Sequence, residues 1–382
     1  MEMFSFFSKR KEKNFVEMKK NLVFFLARFG KGGAGNSVFR LVTSLDQRKY
    51  NISVICLNRC AYEKSFLEKG IDVFKIKASR ILFSISKLKK ILSEIQKNNN
   101  ETILISNINY TNLICAIFIK KKKNLKLLAI ERTPLKELEI YFNLIDLIKK
   151  KIMSFLLRFY YRKFNKIICN SKYMSNYLKK KYNLESEVVF PPSIISRTKI
   201  KKDETKINKN LNILSICRLS KEKNIGELIH ALDNLDDVNF EVRIIGDGEE
   251  KPKLKNLIER LNLNKSVKLL GFKENIYDYL KETDLYINTS FYEGFPNSVV
   301  EAASCGIPII SSQSHGGINE ILLNGKGGII YNNGPNDLAK EIKKFYNNKS
   351  ILRKKAVIAK KNSYKFNLSN HKRKFETIIN KI

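Results

Sequence analysis

Ser290-Phe291-Tyr292-Glu293-Gly294-Phe295-Pro296-Asn297-Ser298-Val299-Val300-Glu301-Ala302 lies between two short apolar runs, Leu285–Asn288 before it and Pro308–Ser311 after Gly306-Ile307. A strand that ends in a polar, glycine-bearing loop, a helix beginning near Ser298 and a second strand make one step of an α/β sheet. Glu293 falls on the loop and Glu301 about one turn into the helix, so both carboxylates can face one cleft. A carboxylate accepts two hydrogen bonds from a vicinal diol, the group that sugars and riboses present. Glu301 has a plain structural use as well, because Ser298-Val299-Val300-Glu301 fits a capping box. Nothing comparable accounts for Glu293-Gly294-Phe295-Pro296 taken with the later His315-Gly316-Gly317-Ile318-Asn319-Glu320.

The same alternation runs along the whole chain. Strands are expected near Leu22–Ala27, Ile52–Leu57, Asp72–Ile76, Thr102–Ser106, Leu125–Ile130 and Lys166–Cys169, with helical segments between. A second series follows at Asn212–Ile216, Phe240–Gly246, Val267–Leu270, Leu285–Asn288, Pro308–Ser311 and Gly328–Tyr331. Phe190-Pro191-Pro192 closes the first series, and Thr198–Asn210 is polar with almost no apolar anchor, as a linker would be. The expected organisation is an α/β domain over 1–197, a linker over 198–210, a second α/β domain over 211–359 and a basic helix over 360–382 that could cross back to the first domain. Two such domains in tandem leave a cleft at the carboxyl ends of their strands. No internal repeat is evident beyond the shared alternation.

At 382 residues and roughly 150 per domain, two domains are also what length predicts. A content of 43% hydrophobic and 29% charged residues excludes global disorder, collagen and coiled coil. The net charge of +35 is uneven: residues 1–200 carry 41 basic and 15 acidic side chains, and residues 201–382 carry 31 and 22. Such an excess draws the first half towards a polyanion, either nucleic acid or the anionic face of a bilayer, unless coding bias has simply painted lysine over an ordinary surface. The six cysteines form no CxxC pair and read as reduced, mostly buried thiols of a cytosolic protein. The opening MEMFSFFSKRKEK offers no signal-peptide core, and the longest apolar stretches, such as Ile114–Ile119, fall far short of the roughly 18 residues that cross a membrane.

Two further stretches carry chemistry. Gly30-Lys31-Gly32-Gly33-Ala34-Gly35-Asn36-Ser37 follows the first strand and opens a helix, where glycines admit an anion to free backbone N–H groups. As a dinucleotide fingerprint it lacks an acid at the end of the next strand, which reads Asn58-Arg59. As a P-loop it has Asn36 where lysine is required, and a tight structural turn also fits. In the second half, Arg218 and Lys223 lie in the loop after its first strand, where two cations suit a diphosphate and a merely solvated basic loop is the alternative.

With these stretches in view, the chain resembles the family-4 glycosyltransferases over nearly its whole length, most clearly in the two glutamates separated by seven residues in EGFPNSVVEAASCGIPII. The resemblance implies a GT-B fold, two Rossmann-like doubly wound domains facing a central cleft. It implies that Glu293 contacts hydroxyls of a donor hexose and Glu301 the donor ribose. Arg218 and Lys223 match the phosphate-binding pair, Gly32 and Gly33 the glycine loop beside the diphosphate, and Gly294, Phe295, Pro296, Asn297 and Ser298 the donor-binding loop. Glu131 and Arg132, in Ala129-Ile130-Glu131-Arg132-Thr133-Pro134, match an acceptor-side element of relatives that build bacterial surface polysaccharides. Cys217 and Asn224 stand where glycine is frequent in the family. The histidine that many relatives carry in the first domain has no counterpart there, since His230, His315 and His371 all lie in the second half.

The implied reaction is transfer of a hexose or N-acetylhexosamine, with retention, from a nucleotide diphosphate sugar such as a UDP-sugar to a lipid-linked or glycan acceptor. Catalysis falls to Glu293, Arg218 and Lys223, the two cations stabilising charge that grows on the leaving diphosphate. No Asp-x-Asp pair occurs, so no metal and no other cofactor is expected. Lys120–Lys123 and Leu144–Lys166, which interleaves aromatics and cations, would suit the anionic inner face of a membrane, or equally a helix with a charged outer face. That would make the protein cytoplasmic and peripheral to the membrane, with no specific nucleic acid and no obligate protein partner. The alternatives are a basic nucleic-acid-binding α/β protein and a GT-B nucleotide-sugar epimerase or phosphorylase.

Overall fold

The computed structural model describes residues 19–98, 100–141, 143–194, 210–332 and 334–382. Residues 198–209 of the expected linker lie outside them.

Seven parallel strands form the first sheet: β1 (Lys20–Phe25), β2 (Tyr50–Leu57), β3 (Asp72–Ile76), β4 (Thr102–Asn107), β5 (Leu125–Glu131), β6 (Lys166–Cys169) and β7 (Glu187–Val188), in the spatial order β3-β2-β1-β4-β5-β6-β7. The second sheet contains β8 (Leu211–Ile216), β9 (Phe240–Ile245), β10 (Val267–Leu269), β11 (Leu285–Asn288), β13 (Ile309–Ser312) and β15 (Ile329–Tyr331), in the order β10-β9-β8-β11-β13-β15. A small separate ladder pairs β12 (Tyr292–Glu293) with β14 (His315–Gly316). All twelve expected strands are present. β7, β12 and β14 were not anticipated, because two residues are too short to display a hydrophobic period.

Strand composition follows from burial on both faces. Leu22 and Phe24 of β1 enter one core cluster, whereas Val23 and Phe25 enter another on the opposite face of the sheet. A parallel strand covered by helices on both sides therefore reads as an unbroken apolar run. Each such side chain contributes on the order of 1.5–3 kcal/mol of burial. Strand order reverses between β1 and β4 in one sheet and between β8 and β11 in the other, and ligand crevices open at these switch points.

The C-terminal segment departs from a single helix over 360–382. Lys360–Ser363 finish the helix Lys349–Ser363, and a new helix spans Leu368–Ile379. The break is local chemistry, since the Asn367 side chain accepts from the Asn370 N–H and caps the second helix. That helix lies on the first sheet, where Phe375 stacks on Phe24 with ring centroids 6.0 Å apart. Among the described residues no helix is long and apolar enough to cross a membrane, and all six cysteines are free.

Candidate active site

The loop after β11 is held by its own polar groups. Glu293 accepts from Lys223 Nζ at 2.6 Å and from Ser290 Oγ at 2.8 Å, and both charged side chains are only 14% exposed. Thr289 Oγ1 donates to the Lys223 carbonyl at 2.8 Å, and Ser312 Oγ donates to that of Ser290 at 2.7 Å. Glu293 and Lys223, expected at the sugar and phosphate ends of one ligand, thus form an ion pair. Removing either partner of so buried a pair strands the other charge.

The glycines of the later motif support this loop. Gly316 pairs with Glu293 in the β12–β14 ladder at φ +147°, and a Cβ there would collide with the Glu293 carbonyl. A Cβ on Gly317 would strike the Phe295 ring, which packs against Phe366 and Phe190 with centroids 4.9 and 5.5 Å away. Gly294 has no room for a Cβ either, because the Arg132 carbonyl of the first unit sits against it. Pro296 is the N-cap of the helix Asn297–Ser304 and makes no side-chain cap bond, so the capping box suggested for Ser298 and Glu301 does not form. Ser298 lies inside the helix and bonds the Tyr286 hydroxyl instead. Glu301 is half-buried; desolvation pushes its carboxyl up to about 7, while Arg40 of the first unit pulls the other way.

Gly32 and Gly33 stand at the N-terminus of the helix Gly33–Ser44, and a Cβ on Gly33 would lie 3.3 Å from Asn297 Nδ2. The glycine loop therefore faces the start of the Asn297–Ser304 helix across the cleft. Asn297 Oδ1 also accepts from Ser193 Oγ at 2.7 Å. Arg218, just beyond β8, is exposed, and its side chain has no hydrogen-bond or ion-pair partner among the described residues. The cleft is spanned in addition by the Lys31–Glu274 ion pair and by Glu320, whose Oε1 accepts from the Lys172 and Tyr173 N–H groups at 2.6 and 3.2 Å.

On the acceptor side the structure separates the expected pair. Glu131 is fully buried, with Oε1 accepting from Tyr161 OH at 2.5 Å and Asn112 Nδ2 at 2.6 Å, and burial pushes its carboxyl up to about 7. It faces the interior of the first unit and not the cleft, since successive residues of a strand point to opposite faces. Arg132 takes the other side: its Nε donates to Asn107 Oδ1 at 2.9 Å, and burial lowers its pKa to about 10.

Several participants escape a reading of motifs. Glu137 receives a hydrogen bond from Asn109, and burial together with the nearby Glu131 and Glu222 charges raises its carboxyl to about 7. His371, in the second half by number, lies at the first unit in space. Its Nδ1 contacts the Phe190 carbonyl at 2.7 Å, and burial holds its pKa down at about 4, with Arg132 adding to the effect. The only signal for it was a lone histidine in a basic tail. Among the described residues no group of three or more His, Cys, Asp or Glu side chains is arranged to hold a metal ion.

Residues 31–193 match the family model described as Glycosyltransferase Family 4, and residues 196–366 match the one described as Glycosyl transferases group 1. An N-acetylgalactosamine-N,N'-diacetylbacillosaminyl-diphospho-undecaprenol 4-alpha-N-acetylgalactosaminyltransferase of Campylobacter jejuni is 27% identical over 81% of this chain and 86% of its own length. An uncharacterized glycosyltransferase of Methanocaldococcus jannaschii is 39% identical over 28% of this chain, which spans only 27% of that relative's length. Among solved structures, Anabaena HepE in complex with UDP and glucose superposes with a TM-score of 0.74 at 20% identity, covering 95% of this chain and 100% of its own.

Proposed function

The chain belongs to the family-4 glycosyltransferases, and on that premise we propose that it moves a hexose or N-acetylhexosamine from a UDP-sugar to a lipid-linked acceptor in bacterial surface-glycan synthesis. The observation that carries this reading is the donor-side loop itself, with Glu293 fixed by Lys223, Ser290 and Gly316 opposite the glycine loop. UDP is suggested by the Anabaena complex, and a diphosphate-linked acceptor by the name of the Campylobacter relative. Relatives named for amylovoran and colanic acid biosynthesis support the surface-glycan setting.

In the proposed reaction the bond between the anomeric carbon and the diphosphate oxygen breaks, and its electron pair leaves with the diphosphate. The acceptor oxygen bonds to the same face of that carbon, and its proton passes to the departing diphosphate. Lys223 and Arg218 would stabilise the growing charge, together with the N-terminus of the Asn297–Ser304 helix. Glu293 would hold sugar hydroxyls and Glu301 the ribose diol. Arg132 would border the acceptor through its carbonyl against Gly294. No metal ion is required in this scheme, so EDTA should leave turnover unchanged.

The acceptor reading extends to a membrane surface. On the helix Leu144–Tyr160, Leu144, Ile145, Ile148, Ile152, Phe155 and Phe159 are each at least 51% exposed and recur at helical spacing along one face. Exposed Lys149, Lys151 and Arg158 accompany them. An apolar stripe bordered by cations suits an anionic bilayer interface. Binding to vesicles containing phosphatidylglycerol should fall steeply with salt, and equal binding to neutral vesicles would count against it. For the reaction, purified enzyme is given a panel of UDP-sugars and a polyprenyl-diphosphate acceptor, with products read by mass spectrometry. The reading fails if Glu293→Ala and Lys223→Ala both keep parental turnover.

A further inference from the structure

At the carboxyl ends of β1 and β2 the two segments continue side by side. Leu57 N donates to the Ala27 carbonyl at 3.0 Å, Ala61 N donates to that of Phe29 at 2.8 Å, and Phe29 bridges Cys60. Asn58, at φ +57°, ties in the loop after β3: its Nδ2 donates to the Ala78 carbonyl at 2.9 Å and its Oδ1 accepts from the Ala78 N–H at 3.2 Å. Three strand ends are thereby joined into one rim. Within it lies a cavity of about 630 Å³ whose lining includes Arg28, Gly30, Asn58, Arg59 and Lys75.

The charges in this cavity do not cancel. Lys75 is paired with Glu63, Nζ to Oε1 at 2.7 Å, and Glu63 is the one carboxylate of the lining. The Arg28 and Arg59 side chains are exposed and have no hydrogen-bond or ion-pair partner among the described residues. Two unpaired guanidiniums, each a planar fork of donors, match the oxygens of a phosphate or diphosphate. Cys60 also lines the cavity, and its thiol is drawn down to about 7 chiefly by a hydrogen bond from Cys56; a thiolate there would offset one charge and leave the site positive.

Position indicates whose phosphate this is. Gly30 opens the glycine loop and lines the cavity, while Gly33, three residues on, faces Asn297 across the cleft. A ligand in the cavity would therefore abut the reacting cleft without occupying the ground between Arg218, Lys223 and Glu293.

We propose that this cavity binds the phosphate or diphosphate of the acceptor, with Arg28 and Arg59 as its ligands. The assignment to the acceptor rests on the glycosyl-transfer reading above; the anion site itself does not. Inorganic pyrophosphate is therefore titrated calorimetrically into the full chain saturated with UDP, which occupies the donor side. Pyrophosphate should still bind, more weakly as salt rises, and Arg28→Ala/Arg59→Ala should weaken it at least tenfold. Loss of all pyrophosphate binding in the presence of UDP, or parental binding by the double variant, would overturn the site.

A second arm concerns the acceptor. The double variant should raise the KM for a phosphorylated acceptor at least tenfold and leave the donor KM and the slow hydrolysis of donor unchanged. A polyprenyl-diphosphate-linked sugar and a soluble sugar phosphate, tested in parallel, distinguish a lipid headgroup from a free phosphate, and a phosphate-free glycan should be insensitive to the substitutions. An unchanged KM for both phosphorylated acceptors would overturn the acceptor assignment. If no nucleotide sugar is turned over at all, the functional reading fails while the pyrophosphate titration still decides the site. Both arginines are exposed, so the variants should keep the parental melting temperature, and Arg28→Lys/Arg59→Lys should restore part of the binding.

Discussion

The carboxyl edges of the two sheets are built in opposite ways. At the second sheet the groups around Glu293 bond one another, with Lys223, Glu293 and Ser290 forming one set and Tyr331 OH and Gly334 N both donating to Glu227 Oε1, while the Arg218 side chain stays exposed. The first unit leaves more undone. Of the nine buried side-chain atoms without a hydrogen-bond partner among the described residues, seven lie at it: those of Ser37, Ser106, Asn112, Glu131, Arg132, Asn170 and His371. Its rim also carries the unpaired Arg28 and Arg59. A carboxylate bonded to both a cation and a hydroxyl is held in place by those bonds, whereas a buried polar group without a protein partner keeps part of its hydrogen-bonding capacity open.

The largest expected effect tests the satisfied side. Lys223→Ala should lower kcat by about 100- to 1000-fold. By stranding Glu293 it should also cost about 3 kcal/mol of stability, measured by urea denaturation. The double variant with Glu293→Ala should recover part of that stability, and a double variant less stable than the single would contradict a coupled pair. Next, Gly316→Ala should misplace the Glu293 loop and reduce turnover by about 100-fold while the circular dichroism spectrum stays parental.

The unsatisfied side is tested through pH. Glu131 has its carboxyl raised to about 7 in the folded chain, so between the ordinary carboxylate range and pH 7 the folded state binds more protons than the unfolded one. Its contribution is therefore greatest in acid and is lost as pH rises towards neutrality. Glu131→Gln should stabilise the chain on the order of 2 kcal/mol at pH 7.5 relative to parent and change little at pH 4.5. An equal shift at both pH values would show that the carboxyl does not titrate in place. Glu301 shares this sign, whereas His371, held near pKa 4, stays neutral when folded and adds stability as pH rises from about 4 to 6.5.

The smallest effect concerns the latch between the two units. Glu320 accepts from the first N–H groups of the helix Lys172–Tyr182, and Glu320→Ala should cost about 1 kcal/mol in unfolding experiments. A loss as large as that of Lys223→Ala would mean that Glu320 does more than cap this helix.

What the sequence determined by itself is what depends on neighbours in the chain. Twelve strands were legible because parallel strands covered on both faces must be apolar throughout, and the Glu293 to Glu301 stretch was legible because its loop and helix are contiguous. Gly316 could be marked as unusual from the sequence, but its reason, the Glu293 carbonyl lying where a Cβ would be, is a tertiary contact. Only the tertiary structure decided that Glu131 turns inward while Arg132 meets Gly294, and that His371 returns to Phe190 across a separation of 181 residues. It alone also joined Arg28, Arg59 and Lys75 in one cavity. Such placements depend on side-chain direction and on contacts between distant strand ends, and neither leaves a period or a spacing in the chain.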